Sequence, residues 1–529
     1  LSEAVKKGSS SLRAAGLVSS LILVSRLLGV VREQVFAALL GAGLHADAFQ
    51  IGFRIPNLLR DLFAEGALSA AFVPTYTKEL ADQGREAAHR LASRLLTLLG
   101  LALGALVVIA IMFAGPLVRF LAPGFDAIPG KGELTVLLTR VMLPFLPLVS
   151  FAAVAMGMLN AEQRYGAPAF APAMFNVVTI AWGVLLWALG LPAREVAVGW
   201  SIGTLLGGLA QFLIQVPWLR RQGWRFRPEW APGDPGIHRI ASLMGPATAG
   251  LAAVQVNIFV NSIFASHEPG AVSWLSYAFR ILYLPIGLFG VAAGTIATTG
   301  LARHAAAGDL DSLRDTLRRA LRMLAFLTVP ATAGLIVLAA PIVRLLYERG
   351  RFTALDTERT AAALAFYGAG LVAYSAVKVL APAFYAIGKP RVPLVGSVFS
   401  VATNLVFNVA LYDSLGYRSV ALGTSLGAIV NSLVLALAFE RRIGGLRGGG
   451  LGPAFAKMGL ATLVMAPLAW WTAATLMLHL GTRGVLIQGV TALVAVGVGV
   501  AAYLGVAAAL RMDELRVLVT AARGRGGAA

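Results

Sequence analysis

The chain has 529 residues, 58% of them apolar and 13% charged, with a net charge of +19 and no cysteine. Soluble domains carry about 25% charged residues, so the charge here is too sparse to clothe a water-soluble surface of this size. The lack of cysteine excludes thiolate zinc sites, iron–sulfur clusters, disulfides and cysteine nucleophiles, and basic loops beside anionic lipid account for the positive excess without nucleic acid.

Apolar runs of roughly 20 residues, enough to cross a bilayer core, recur along the whole length. The sequence predicts fourteen spans, near 16–40, 47–75, 92–116, 134–159, 170–190, 196–218, 240–266, 271–300, 319–347, 360–386, 393–413, 418–439, 455–479 and 484–510. The first is read as part of the fold rather than as a cleaved leader. All are expected to be helices, because in lipid only helices and closed barrels satisfy their backbone groups. Pro144, Pro147 and Pro285 lie inside spans and mark kinks.

Lys and Arg set the orientation. With the N-terminus in the cytoplasm, and end-turn residues assigned to the nearer side, 28 of the 44 basic residues are cytoplasmic, 9 lie opposite and 7 lie within spans. That bias predicts N-in and C-in. An internal repeat is also visible. Phe53-Arg54-Ile55 and Leu62-Phe63 return as Phe279-Arg280-Ile281 and Leu288-Phe289, and Ala161 and Pro168 return as Ala386 and Pro393. The period covers six spans, an even number, so the copies are expected to run parallel. The expected organisation is an all-α polytopic membrane protein with an N-lobe over 1–218, a cytoplasmic linker over 219–239, a C-lobe over 240–440, and two extra helices with a cytoplasmic tail over 441–529.

Ionisable residues inside the spans carry the functional signal, since a charge at the bilayer centre costs about 2.5–3.5 kcal/mol even on the lenient scale. The first two spans hold Arg26, Arg32, Glu33, Asp47, Arg54, Arg60, Asp61 and Glu65, and span 8 holds Arg280. Arg54, Asp61 and Glu65 share one helical stripe, as do Arg26 and Glu33, and are expected to form internal ion pairs. Arg32 and Arg60 fall well off those stripes and are expected to lack acidic partners on their own helices. Unpaired guanidiniums inside a membrane point to an anionic ligand, and their fork suits phosphate oxygens. The competing reading for Arg26, Arg54, Arg140 and Lys378 is snorkelling to headgroups from span ends.

Catalytic motifs are missing. Gly130-Lys131 lacks the spacing of a phosphate loop, no H-E-x-x-H occurs, and the six histidines are scattered. The chain is not expected to be an enzyme.

Several stretches together resemble the MurJ (MviN) family of lipid II flippases. They are Ser25-Arg26-Leu27-Leu28-Gly29, Arg32-Glu33, Ala46-Asp47-Ala48-Phe49, Arg54-Ile55-Pro56-Asn57-Leu58-Leu59-Arg60 and Phe63-Ala64-Glu65-Gly66-Ala67. Further on come Leu284-Pro285-Ile286-Gly287-Leu288-Phe289, Glu348-Arg349-Gly350 with Phe352-Thr353, and Ala383-Phe384-Tyr385-Ala386. The resemblance implies a member of the multidrug and polysaccharide exporter superfamily. Two six-helix lobes would enclose a central cavity, and two extra helices would line a groove for a lipid tail. It implies an undecaprenyl-pyrophosphate-linked peptidoglycan precursor as substrate, moved across the bacterial inner membrane by a monomer. Arg26, Arg32, Arg60, Arg280, Asn57, Asp47 and Glu65 match positions tied to substrate handling, and Arg54 joins them on the charge pattern. Where the family commonly has acids around the span 8 arginine, this chain has Phe279 and Tyr283. The family also implies a sodium site, here matched by Asn261, Asn404, Asn408 and Thr424, with structural hydrogen bonding as the alternative. The alternative function is a cation-coupled drug exporter, or an exporter of another polyprenyl-linked oligosaccharide, on the same fold.

Overall fold

The computed structural model describes residues 2–61, 67–446 and 450–522, and among these every regular element is helical. Among the described residues ten helices are long and apolar enough to cross a membrane, and the bent pair Ala354–Gly368 and Leu371–Ala386 makes an eleventh. Predicted spans 1, 2 and 7 are absent from that set. They coincide with helices all the same, and spans 1 and 2 are the ones loaded with charge. The described residues therefore confirm a polytopic helical membrane protein, while the exact number fourteen is not reached by length and apolarity alone.

The chain divides into two compact units, residues 1–272 with 349–352, and residues 273–348 with 353–529. The first contains α1 (Ser2–Leu40), α2 (Leu44–Arg60), α3 (Ala67–Asp82), α4 (Gly84–Met112), α5 (Ala114–Leu121), α6 (Lys131–Met142), α7 (Phe145–Ala161), α8 (Gly166–Ala188), α9 (Ala193–Leu213), α10 (Val216–Arg221) and α11 (Pro235–Ala265). Helix α1 packs on α8, α2 on α6, and α3 on α4, α7 and α11. One of its buried apolar clusters joins Phe72, Tyr76, Leu91, Met158 and Trp224. Asp234 starts α11 by accepting from the Gly236 and Ile237 amides at 2.7 and 3.2 Å, with Pro235 filling the first turn, where no amide donor is needed.

The second unit contains α12 (Ala271–Pro285), α13 (Ala292–Ala306), α14 (Leu310–Val337), α15 (Ala339–Tyr347), α16 (Ala354–Gly368), α17 (Leu371–Ala386), α18 (Arg391–Leu415), α19 (Arg418–Arg442), α20 (Leu451–Leu480), α21 (Val485–Ala509) and α22 (Asp513–Ala522). Between α12 and α13 the backbone widens into a π-helical stretch, Ile286–Val291. Pro285 removes an amide donor just before it, and such bulges recur at functional sites. The pair α20 and α21 pack on each other, and α20 also packs on α14.

The repeat extends beyond the motifs that revealed it. Helices α5, α8 and α9 begin 225 residues before α15, α18 and α19. Pro116, Val118 and Arg119 of α5 return as Pro341, Val343 and Arg344 of α15. The outward faces are apolar, with Trp187 72%, Leu463 72%, Leu478 80% and Leu486 81% exposed. Water would penalise such surfaces, and lipid tails accept them.

Candidate functional site

Helices α1 and α2 carry the predicted cations of the first unit. Arg26 lies exposed on α1 and Arg32 is half-buried. The Arg32 Nη2 donates to Glu33 Oε1 at 2.6 Å, and its guanidinium sits 5.1 Å from the Phe175 ring centre on α8. Asn176 of α8 fixes this register by donating to the Ser25 carbonyl at 3.1 Å. On α2, Arg60 donates to Asp61 Oδ1 from both Nη2, at 2.9 Å, and Nε, at 3.3 Å. The expectation that Arg32 and Arg60 lack acidic partners on their own helices is thus corrected. Neighbouring residues on a helix point about 100° apart, yet a guanidinium on its long stem folds back across that angle. Each arginine stays about one-quarter exposed.

Two members of the expected stripe on α2 have contacts outside it. Arg54 donates to Ser262 Oγ on α11, and Asp61 is taken by Arg60. Asn57 is half-buried on α2. Glu65 lies outside the described residues.

Asp47 sits in the protein interior. It is fully buried and accepts from Lys131 Nζ at 2.7 Å and from the Gly270 amide at 2.8 Å. Lys131 is fully buried as well and rests 4.0 Å from the Phe125 ring centre. This ion pair ties the start of α2 to the start of α6, and sequence reasoning missed it because 84 residues separate its members. A second unforeseen hub is Glu162 at the end of α7, which accepts from Tyr76 at 3.1 Å and contacts His89 at 3.2 Å and Arg85 at 3.6 Å. A third is Arg94, which donates to Glu229 at 2.6 Å and Asp234 at 2.5 Å. That hydrogen bond from Arg94 holds the Glu229 carboxyl below its usual range.

In the second unit Arg280 is half-buried on α12. Phe279 lies 6.2 Å from Tyr283 and edge-on to Tyr367 at 5.4 Å, so an aromatic patch occupies the positions where the family commonly has acids. Asn404 and Asn408 are fully buried neighbours on α18. Asn408 Nδ2 donates to Asn404 Oδ1 at 3.0 Å, and Ser419 donates to Asn408 Oδ1 at 3.3 Å. The Thr424 hydroxyl donates to the Val420 carbonyl at 2.7 Å. Asn261 is half-buried on α11 of the first unit. These oxygens are neutral, and both amide carbonyls of the Asn404–Asn408 pair already accept hydrogen bonds. Among the described residues no group of three His, Cys, Asp or Glu could hold a metal. Asn404, Asn408 and Thr424 each take part in hydrogen bonding within the second unit.

Residues 36–490 match the family described as “Lipid II flippase MurJ”. The chain belongs to the lipid II flippase MurJ family. A “Probable lipid II flippase MurJ” of Vibrio cholerae is 35% identical over 96% of this chain and 97% of its own length. The “Lipid II flippase MurJ” of Burkholderia cenocepacia is 35% identical over 87% of this chain and 90% of its own length. Among solved structures, a lipid II flippase MurJ in an inward closed conformation superposes with a TM-score of 0.76 at 25% identity, covering 94% of this chain and 99% of the other. An inward-facing multidrug transporter of the MATE family, in the MOP superfamily, superposes at 0.67 with 19% identity over 82% of this chain and 99% of the other, a likeness of fold. The MurJ match spans α2, α12 and the α16–α19 region, so every described candidate residue except Arg26 and Arg32 falls inside it.

Proposed function

We propose that this chain flips lipid II, an undecaprenyl-pyrophosphate-linked peptidoglycan precursor, from the cytoplasmic to the outer leaflet of the inner membrane by alternating access. Family membership sets the class. The supporting observation in this chain is the set of half-buried guanidiniums, Arg32, Arg60 and Arg280, on otherwise apolar helices. A drug exporter for apolar cations would be disfavoured by such groups, although the Phe279–Tyr283–Tyr367 patch is a surface of the kind it would use.

The adjacent acids refine the chemistry. Glu33 and Asp61 neutralise Arg32 and Arg60 when no ligand is bound, which lowers the cost of holding these cations in a low-dielectric region. A pyrophosphate then competes with those carboxylates for the same forks. It brings more charge and more acceptor oxygens, so capture is favourable. The carboxylates re-form their pairs on release, so the exchange is nearly balanced and the substrate is not trapped. Arg280 offers the same fork chemistry, Arg26 steers the headgroup from its exposed position, and Asn57 adds a neutral amide to this polar stretch of α2. Glu65 belongs to the same set. Asp47 and Arg54 position α2 through Lys131 and Ser262.

The chain works as an N-in, C-in monomer without hydrolysing ATP, and α20 and α21 offer the apolar surface for the lipid tail. The membrane potential acts on the net positive charge at about 2.3 kcal/mol per charge per 100 mV. We assign Asn404, Asn408 and Thr424 to structural hydrogen bonding, so flipping in proteoliposomes should proceed equally in sodium and potassium. A strict sodium requirement would overturn that assignment. The function itself is tested by Arg280→Ala in the same assay. Loss of lipid II flipping with normal folding is expected, and full activity would contradict the guanidinium mechanism.

A further inference from the structure

The first unit carries a pocket that this mechanism does not use. Helix α9 turns into the short α10 at Gln215, whose fully buried amide donates at 3.0 Å to the Ala152 and Gln211 carbonyls. The chain then reverses at Gly223, with a φ of 89°, and drives Trp224 into the core at 4% exposure. A pocket of about 770 Å³ remains beside this reversal, within the ~300–1,000 Å³ span of ordinary ligand sites.

Its chemistry is sharply divided. Leu96 of α4, Phe151 of α7, and Phe212 and Leu213 of α9 line it with apolar surface, and the Phe151 and Phe212 rings lie 6.0 Å apart. Arg220 and Arg225 also line it, and both are exposed. Neither forms an ion pair among the described residues, in contrast to nearby Arg94 with its two carboxylates. The lining residue Trp224 also has a buried Nε1 donor with no acceptor among the described residues. Just outside, Trp218 is 42% exposed and holds the Arg221 guanidinium 5.3 Å from its ring centre, the arrangement of a membrane–water border.

We propose that this pocket binds one anionic glycerophospholipid of the surrounding bilayer, with an acyl chain along Phe151, Phe212 and Leu213 and its phosphate between Arg220 and Arg225. Charge complementarity selects this occupant. A soluble anion has no use for the apolar lining, and a zwitterionic lipid answers the two unpaired guanidiniums with no net negative charge. Under the N-in orientation the lipid comes from the cytoplasmic leaflet, and the pocket's chemistry does not depend on that orientation or on lipid II transport.

Native mass spectrometry of the full chain, released from detergent with dioleoylphosphatidylglycerol or dioleoylphosphatidylcholine at equal concentration, tests this. The wild type should retain phosphatidylglycerol in preference. Arg220→Gln with Arg225→Gln should lower that retention about tenfold, as loss of charge-assisted hydrogen bonds implies. Arg441→Gln with Arg442→Gln removes the same charge elsewhere and should leave retention unchanged. Leu213→Trp, which fills the apolar lining, should lower retention of both lipids. Equal retention by wild type and the Arg220/Arg225 variant would overturn the proposal, as would an equal loss in the Arg441/Arg442 variant. Displacement of the lipid by glycerol 3-phosphate would also overturn it, by identifying a soluble-phosphate site. If the Arg220/Arg225 variant fails to fold, unchanged retention in Leu213→Trp decides against the site.

Discussion

Arg60 donates twice to Asp61, and Arg32 once to Glu33, so each fork has a local counter-ion that a phosphate must displace. This makes geometry as important as charge. Arg60→Lys keeps the charge but loses the planar fork, and Arg60→Ala loses both. Arg60→Ala should reduce lipid II flipping about 10–100-fold, the equivalent of ~1.5–3 kcal/mol of charged hydrogen bonding, and Arg60→Lys should fall between Ala and wild type. Wild-type flux in both variants would remove Arg60 from the mechanism. Asp47 makes a different prediction. Asp47→Asn leaves the Lys131 ammonium fully buried without its counter-charge, a change that typically costs about 3–5 kcal/mol. A clear fall in the thermal midpoint is expected, and an unchanged midpoint would contradict the buried pair. The sequence marked Arg32, Arg54, Arg60 and Asp47 as unusual because charge inside apolar helices is costly. It missed the pairs Arg32–Glu33 and Arg60–Asp61, because ideal helical angles ignore how far a guanidinium reaches, and it did not find Lys131 and Ser262, which lie far away in sequence.

Long apolar runs and basic loops made most membrane helices legible as elements. The short helix α15 falls inside predicted span 9 because it continues the apolar run of its predecessor, whereas predicted span 3 stops three residues into α5. The π-helical stretch after Pro285 has no signature in hydrophobic periodicity. The loop motif Glu348-Arg349-Gly350 acquires a physical reason only in three dimensions. The Arg351 amide donates to the Ala38 carbonyl at 2.9 Å, and Gly350, with a φ of 61°, faces the Ala38 backbone where any Cβ would collide. Gly350→Ala should therefore destabilise by at least the ~1–2 kcal/mol of a left-handed non-glycine residue, read as a lower thermal midpoint. The connection before α11 is pinned to α4 by Arg94. Because Arg94 holds the Glu229 carboxyl below its ordinary 4.5, the folded state takes up that proton less readily than the unfolded chain. The contribution is present above pH 4.5 and is lost as pH falls through the lowered value. Glu229→Gln should flatten that part of the acid-stability profile, and an identical profile would sink the tether.

At the scale of the whole molecule, matching helix starts 225 residues apart extend a repeat first seen in a few short motifs. Those motifs stand out because Phe-Arg-Ile on α2 and α12 bears charge within a Leu/Ala-rich background. Orientation rests on the basic-residue bias, and the chain's lack of cysteine makes it simple to test. Single cysteines at Ala42 and Gln222 should label from opposite sides of the membrane, and labelling from one side would reject the topology. The central claim concerns transport. The most direct measurement is lipid II flipping by the purified chain in proteoliposomes of defined composition, with and without an imposed potential, beside undecaprenol as a neutral lipid lacking pyrophosphate. The account predicts protein-dependent movement of lipid II, altered in rate by the potential, and none of undecaprenol above the protein-free rate. Equal movement of both lipids, or none of lipid II, would contradict it.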